Sequence, residues 1–235
     1  MTIGMNNLGD YTSIEEQMSQ YASLVGIAKN RGFDFKIPHN TLLSECFEML
    51  HCGGRFGFID GDEVEVHDSN FCSDLYNECP NHVNLSGHLQ AAEYFSNSWR
   101  QLKWDFRFKD EIIDSVDYAW GTILVEDPVS IYVSDDNFDQ YVINKDRQYI
   151  ISSDKIKECE KQEVFRGSNV HFNDMTTKVN KSYFDLCLMS KCQDHIGTSA
   201  KSWWAAYLNE HDNRTVICPK YHRSLEQSNF DRQGN

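Results

Sequence analysis

The chain has 235 residues, with 22 Lys and Arg against 36 Asp and Glu, a formal net charge of −14. An excess of acid this large argues against an extended nucleic-acid footprint or attraction to an anionic membrane surface, because both need clustered cations. At 40% hydrophobic and 25% charged residues, the composition is that of a soluble globular protein able to bury a proper core.

The first strong local signal is Ser13-Ile14-Glu15-Glu16, a capping box at a helix start. Ile14, Met18, Tyr21, Val25 and Ala28 recur behind it at helical spacing, so the pattern predicts a helix to Arg31 that stops at Gly32. Phe33 to Ile37 reads as a strand closed by Pro38, giving the first forty residues a strand–helix–strand look, the opening unit of a parallel sheet. A helix near Leu42 to Met49, a Gly53-Gly54 break and short strands at Glu63 to Val66 and Val83 to Ser86 follow. From Ala91 to Leu124 two helices are expected around a bridge at Phe106 and Phe108, and Asp127-Pro128 is the candidate domain boundary.

Beyond Pro128 strands and helices alternate. Strands are expected at Val129 to Val133, Tyr149 to Ser152, Asn169 to Phe172 and Thr215 to Ile217, and helices at Lys155 to Phe165, Tyr183 to Lys191 and Ser202 to Asn209. That alternation points to a doubly wound α/β domain, with Val129–Val133 and Asn169–Phe172 as parallel neighbours. The expected division is 1–127, 128–223 and a polar tail, 224–235.

Met1 to Asn7 lacks the basic and apolar regions of an export signal, and no apolar run approaches the roughly 18 residues of a membrane span, so a cytoplasmic location is expected. The eight cysteines then read as free thiols. Cys46, His51, Cys52, His67, Cys72, Cys79, His82 and His88 crowd one stretch without a Cys-x-x-Cys pair, and no metal is expected. No Gly-x-Gly-x-x-Gly, Walker loop, His-Glu-x-x-His or Gly-x-Ser-x-Gly is present.

The informative block lies near the carboxyl end: Asp185-Leu186-Cys187-Leu188-Met189-Ser190-Lys191-Cys192, then His195-Ile196, then Ser202-Trp203-Trp204-Ala205-Ala206-Tyr207-Leu208-Asn209. Earlier come Gln17-Met18-Ser19-Gln20-Tyr21-Ala22, Val129-Ser130-Ile131-Tyr132-Val133 and Ser153-Asp154; later comes Val216-Ile217-Cys218-Pro219-Lys220. In this order the segments resemble the inverting α-1,2-fucosyltransferases of glycosyltransferase family eleven. The resemblance implies two Rossmann-like halves facing a cleft, a GT-B-like fold with the acceptor side in the amino-terminal half. It implies GDP-fucose as donor and a glycan as acceptor, with no cofactor or metal. The residues it carries over to the donor site are Tyr132, Ser134, Asp135, Asp154, Thr198, Ser199, Lys201 and Ser202. The tryptophans are expected to pack in the core, and Asp154, Asp174 and Asp185 stand level as candidates for a general base.

The chain departs from the family at the donor motif. Where "His-x-Arg-Arg-x-Asp" stands in the family, this sequence has Tyr132-Val133-Ser134-Asp135-Asp136-Asn137, without either arginine. Glu15-Glu16 replaces a glycine-asparagine turn, and Lys201 and Lys155 stand where an aromatic and an aspartate are expected. The expectation is a donor site of the wrong charge, hence a weak or inactive transferase. The alternatives are a non-catalytic binding or structural module on the same fold, or an altered relative.

Overall fold

A computed structural model describes residues 1–10, 13–67, 70–134, 138–174, 182–197 and 199–218. These fall into two compact units, residues 1–109 and 110–218.

The first unit opens with strand β1 (Thr2–Gly4), helix α1 (Ile14–Arg31) and strand β2 (Asp34–Lys36), as the capping box and periodicity require. Ser13 Oγ accepts from the Glu16 amide and Glu16 Oε2 accepts from the Ser13 amide, so two first-turn donors are satisfied reciprocally. Gly32 ends the helix in the left-handed region (φ 66°), and the Phe33 amide bonds back to the Ala28 carbonyl at 2.8 Å. One long face of α1, including Met18, Tyr21, Leu24, Val25 and Ala28, is buried. With β3 (Asp62–Val66) and β4 (Val83–Gly87), these strands form a parallel sheet of order β2-β1-β4-β3. Helices α2 (Leu42–Cys46), α3 (Ser73–Glu78) and α4 (Trp99–Asp105) complete the unit. The helix expected to reach Met49 stops at Cys46, where Phe47 turns extended and pairs with Phe108.

The second unit begins with α5 (Asp110–Leu124), which the sequence groups with the amino-terminal half and which packs against α7 (Tyr183–Ser190). Strands β5 (Val129–Tyr132), β6 (Tyr149–Ser152), β7 (Val170–Phe172), β8 (Asp194–Gly197) and β9 (Val216–Ile217) form a parallel sheet of order β7-β6-β5-β8-β9. Every residue of β5 and β6 is buried, as expected of interior strands of a parallel sheet. The sheet differs from the sequence expectation in two features. Val170–Phe172 shares the sheet with Val129–Tyr132 and is parallel to it, but β6 lies between them. Strand β8, which the pattern did not reveal, is the other neighbour of β5.

The helix expected over Lys155 to Phe165 is two pieces, α6 (Ile156–Cys159) and a 3₁₀ turn at Glu163–Phe165. In a continuous helix Ile156 and Phe165 would lie about 180° apart, at roughly 100° per residue. Both belong to the same core cluster with Cys159, Ile131 and Ile151, so the chain must break between them. Helix α8 (Ala200–Leu208) starts two residues earlier than Ser202, capped by Ser199, and packs on β8. Trp204 is fully buried in it, and Trp203 stacks on Tyr207 with ring centroids 5.8 Å apart.

All eight cysteines are free thiols, six buried, with Cys72 and Cys218 exposed. Among the described residues no helix is long and apolar enough to cross a membrane, and no group of three or more His, Cys, Asp or Glu is arranged to hold a metal.

Candidate functional site at the carboxyl ends of the second sheet

Parallel pairing puts Tyr132 opposite Ser152 on one side and Gly197 on the other, so β5, β6 and β8 end at one edge of the sheet. In an open α/β sheet, that edge is where ligands gather. Of the residues singled out from the sequence, Tyr132 ends β5 and Ser134, Asp154, Ser199, Lys201 and Ser202 follow the strands, while Asp135 and Thr198 lie outside the described residues.

Three of the others meet directly. The Tyr132 hydroxyl donates to Asp154 Oδ2 at 2.9 Å. Lys201 Nζ stands 5.2 Å from the centroid of the Tyr132 ring and 3.9 Å from Asp154 Oδ1. Lys201 and Tyr132 are buried, whereas the Asp154 side chain is 82% exposed. Ser134, two residues beyond β5, is exposed.

The turn after β6 is built by Ser153, whose hydroxyl donates to the Val133 carbonyl at 2.8 Å and accepts from the Lys155 amide at 3.0 Å. This fixes the exit of β6 beside that of β5 and sets Asp154 at the apex.

Ser199 and Ser202 cap each other rather than an external group. Ser199 Oγ accepts from the Ser202 amide and Ser202 Oγ accepts from the Ser199 amide, both at 3.1 Å. In the first turn of α8 this leaves the Ala200 and Lys201 amides without an acceptor among the described residues. Gly197 makes this packing possible, since a Cβ there would overlap Ser202 Cβ and Oγ and stand 3.6 Å from Tyr132 Cβ.

A second network braces the neighbouring strand ends. Asn173 Nδ2 donates to Ser152 Oγ at 3.1 Å and to Asp185 Oδ1 at 2.8 Å, all three being buried. Asp185, one of the three carboxylates level in the sequence as candidate base, is thereby a brace between β6, β7 and α7, while Asp154 is the solvent-exposed one. Asn173 was not singled out from the sequence, where a lone Asn after a strand carries no distinguishing signal. At the opposite end of the sheet His195 is buried; burial first, then the nearby Arg214, pushes its pKa down to about 4. Its Nε2 lies 2.6 Å from Asn209 Nδ2, which makes Nε2 the acceptor.

In the first unit, Glu16 is engaged in the capping box of α1, and Glu15 Oε2 is a buried oxygen without a hydrogen-bond partner among the described residues.

Residues 67–233 match the family described as Glycosyl transferase family 11. The chain belongs to that family. It is also 26% identical over 156 residues to the O-antigen biosynthesis glycosyltransferase WbnK of Escherichia coli. That match covers 64% of this chain but 44% of the relative, so the chain spans less than half of that relative's length. Among solved structures, the α-1,6-fucosyltransferase NodZ soaked with GDP-fucose superposes with a TM-score of 0.60 at 11% identity, covering 88% of this chain and 92% of NodZ. POFUT1 in complex with GDP gives a TM-score of 0.56 at 9% identity, over 92% and 97% of the two chains. Identities this low carry the fold alone: a mixed α/β, GT-B-like fold with parallel sheets, as the resemblance implied.

Proposed function

We propose that this family member is a fucosyltransferase-like protein whose donor site, at the carboxyl ends of β5, β6 and β8, grips a nucleotide diphosphate too weakly for efficient transfer. One observation carries the reading: Tyr132 to Asn137 holds no arginine, and the buried cation at this edge, Lys201, already faces the carboxylate of Asp154. A departing nucleotide diphosphate builds negative charge in the transition state, and losing one preorganised donor for such charge typically costs about 3 kcal/mol or more. Two arginines are absent here. A lysine is a point charge without the bidentate fork, so Lys201 and the exposed Lys155 replace them only in part.

The donor would be GDP-fucose, held without a metal by Tyr132, Ser134, Asp135, Asp154, Thr198, Ser199, Lys201 and Ser202, and the acceptor a glycan met by the amino-terminal half. A second reading, a non-catalytic module reusing the fold, is favoured by the Ser199–Ser202 pair, whose amides and hydroxyls are spent on each other. A transfer and donor-hydrolysis assay with GDP-fucose tests the first reading. Turnover at least about a hundredfold below that of an arginine-bearing relative is expected, the equivalent of about 2.7 kcal/mol. Efficient transfer would overturn it.

A further inference from the structure

Two buried polar groups of the second sheet lie side by side without a partner. Ser130 on β5 and His195 on β8 are register partners, 1% and 2% exposed. Ser130 Oγ and His195 Nδ1 make no hydrogen bond among the described residues. Register partners on adjacent strands project to the same face. The next pair along that face shows how near they come, since a Cβ built on Gly197 would stand 3.6 Å from Tyr132 Cβ and against Ser202 of α8. The opposite face of β5 is apolar, with Val129, Ile131 and Val133 in the core cluster, so the polar pair is confined to the side that α8 covers.

The tautomer of His195 follows from its other ring nitrogen. Asn209 is oriented by its own bonds: Nδ2 donates to the Cys192 carbonyl at 2.6 Å, and Oδ1 accepts from the His211 amide at 2.6 Å. The atom 2.6 Å from His195 Nε2 is therefore the amide nitrogen, and Nε2 accepts from it. A neutral imidazole that accepts at Nε2 carries its proton on Nδ1. Nδ1–H is thus a buried donor in need of an acceptor, beside a hydroxyl that can both accept and donate and does neither. Burial strips the hydration of both groups, and no protein atom replaces it.

We infer that Ser130 and His195 form a binding site for a single water molecule, which accepts from His195 Nδ1–H and bonds the Ser130 hydroxyl, joining β5 to β8 beneath α8. A buried water needs at least a pair of polar partners, and these two supply them across neighbouring strands roughly 5 Å apart. A cation would meet the Nδ1 proton, and burial shuts out larger solutes. The site lies one step back from Tyr132 and Gly197 along the same face, and it stands whether or not the donor reading does.

The test uses the full chain. Nitrogen-resolved NMR of the parent is expected to show His195 as the Nδ1–H tautomer, with through-space transfer from its Hδ1 to a long-lived water. A high-resolution crystal structure is expected to show that water between Ser130 Oγ and His195 Nδ1. An Nε2–H tautomer, a direct bond between the two side chains, or no transfer from Hδ1 to water overturns the inference. Ser130→Ala then separates a bridged hydroxyl from an idle one. Deleting an idle buried hydroxyl leaves the folding equilibrium unchanged or moves it towards the folded state, whereas deleting one that anchors a water weakens it, here by about fivefold in urea denaturation. Unchanged or raised stability of Ser130→Ala overturns the site. The parent spectra need no variant, so they decide the matter even if Ser130→Ala fails to fold.

Discussion

Gly197→Ala probes how closely the candidate site is built. Gly197 ends β8 directly under the first turn of α8, and a methyl group there would intrude on both Cβ and Oγ of Ser202. Neither atom can rotate away freely, since Cβ is fixed to the helix backbone and Oγ both accepts from the Ser199 amide at 3.1 Å and donates to its carbonyl at 2.8 Å. The helix must therefore shift or the cap must break. Overpacking a close contact costs typically 1–3 kcal/mol and loss of a cap about 1 kcal/mol, so a destabilisation of about 2–4 kcal/mol is expected. Against the ~5–15 kcal/mol of an ordinary domain the protein stays folded, and urea denaturation followed by circular dichroism reads the change. A second substitution sharpens the test. Ser202→Gly removes the obstructing side chain, so the double variant should recover about 1 kcal/mol or more relative to the sum of the singles. A Gly197→Ala protein within about 0.5 kcal/mol of the parent, or strict additivity in the double, would refute the close-packing argument.

Two further outcomes are expected. Because His195 is held neutral down to about pH 4 in the folded chain but protonates near pH 6.5 when unfolded, its contribution is intact above 6.5 and is lost as pH falls towards 4. The slope is at most about 1.4 kcal/mol per pH unit, and a His195→Gln variant should lose stability less steeply across that window; identical slopes would contradict the burial argument. Burial also pushes the Cys52 and Cys187 thiols up to about 12, so a thiol reagent at neutral pH should modify Cys72 and Cys218 in the native protein and all eight cysteines after denaturation without reductant. Three or four disulfides found by mass spectrometry would contradict this.

What could be read in advance follows from the range of the forces involved. Helix α1 was legible to the residue, because its start and stop are local: Ser13 with Glu16, and a glycine free to adopt φ 66°. Strand β8 was not, because its four residues, Asp194, His195, Ile196 and Gly197, carry no run of β-branched side chains and become a strand through pairing with β5 and β9 on either side. The Lys155 to Phe165 segment reads as one helix, but the sheet decides the burial of Ile156, Cys159 and Phe165 together, which a single helix cannot provide. The site divides in the same way. Tyr132, Asp154 and Lys201 could be named from ordered motifs, but their contact joins the ends of three elements far apart in sequence. The self-capping of Ser199 and Ser202, and the Asn173 brace on Asp185, depend on positions that only the fold brings together.

The central claim, that the donor site is limited by its charge, is tested most directly by the GDP affinity of a Ser134→Arg/Asp135→Arg double variant measured beside the parent by calorimetry. Restoring two cations and removing one carboxylate where the diphosphate should lie is expected to tighten binding by about tenfold or more, and less so at high salt. A parent that binds GDP tightly and gains nothing from the two arginines would contradict the account.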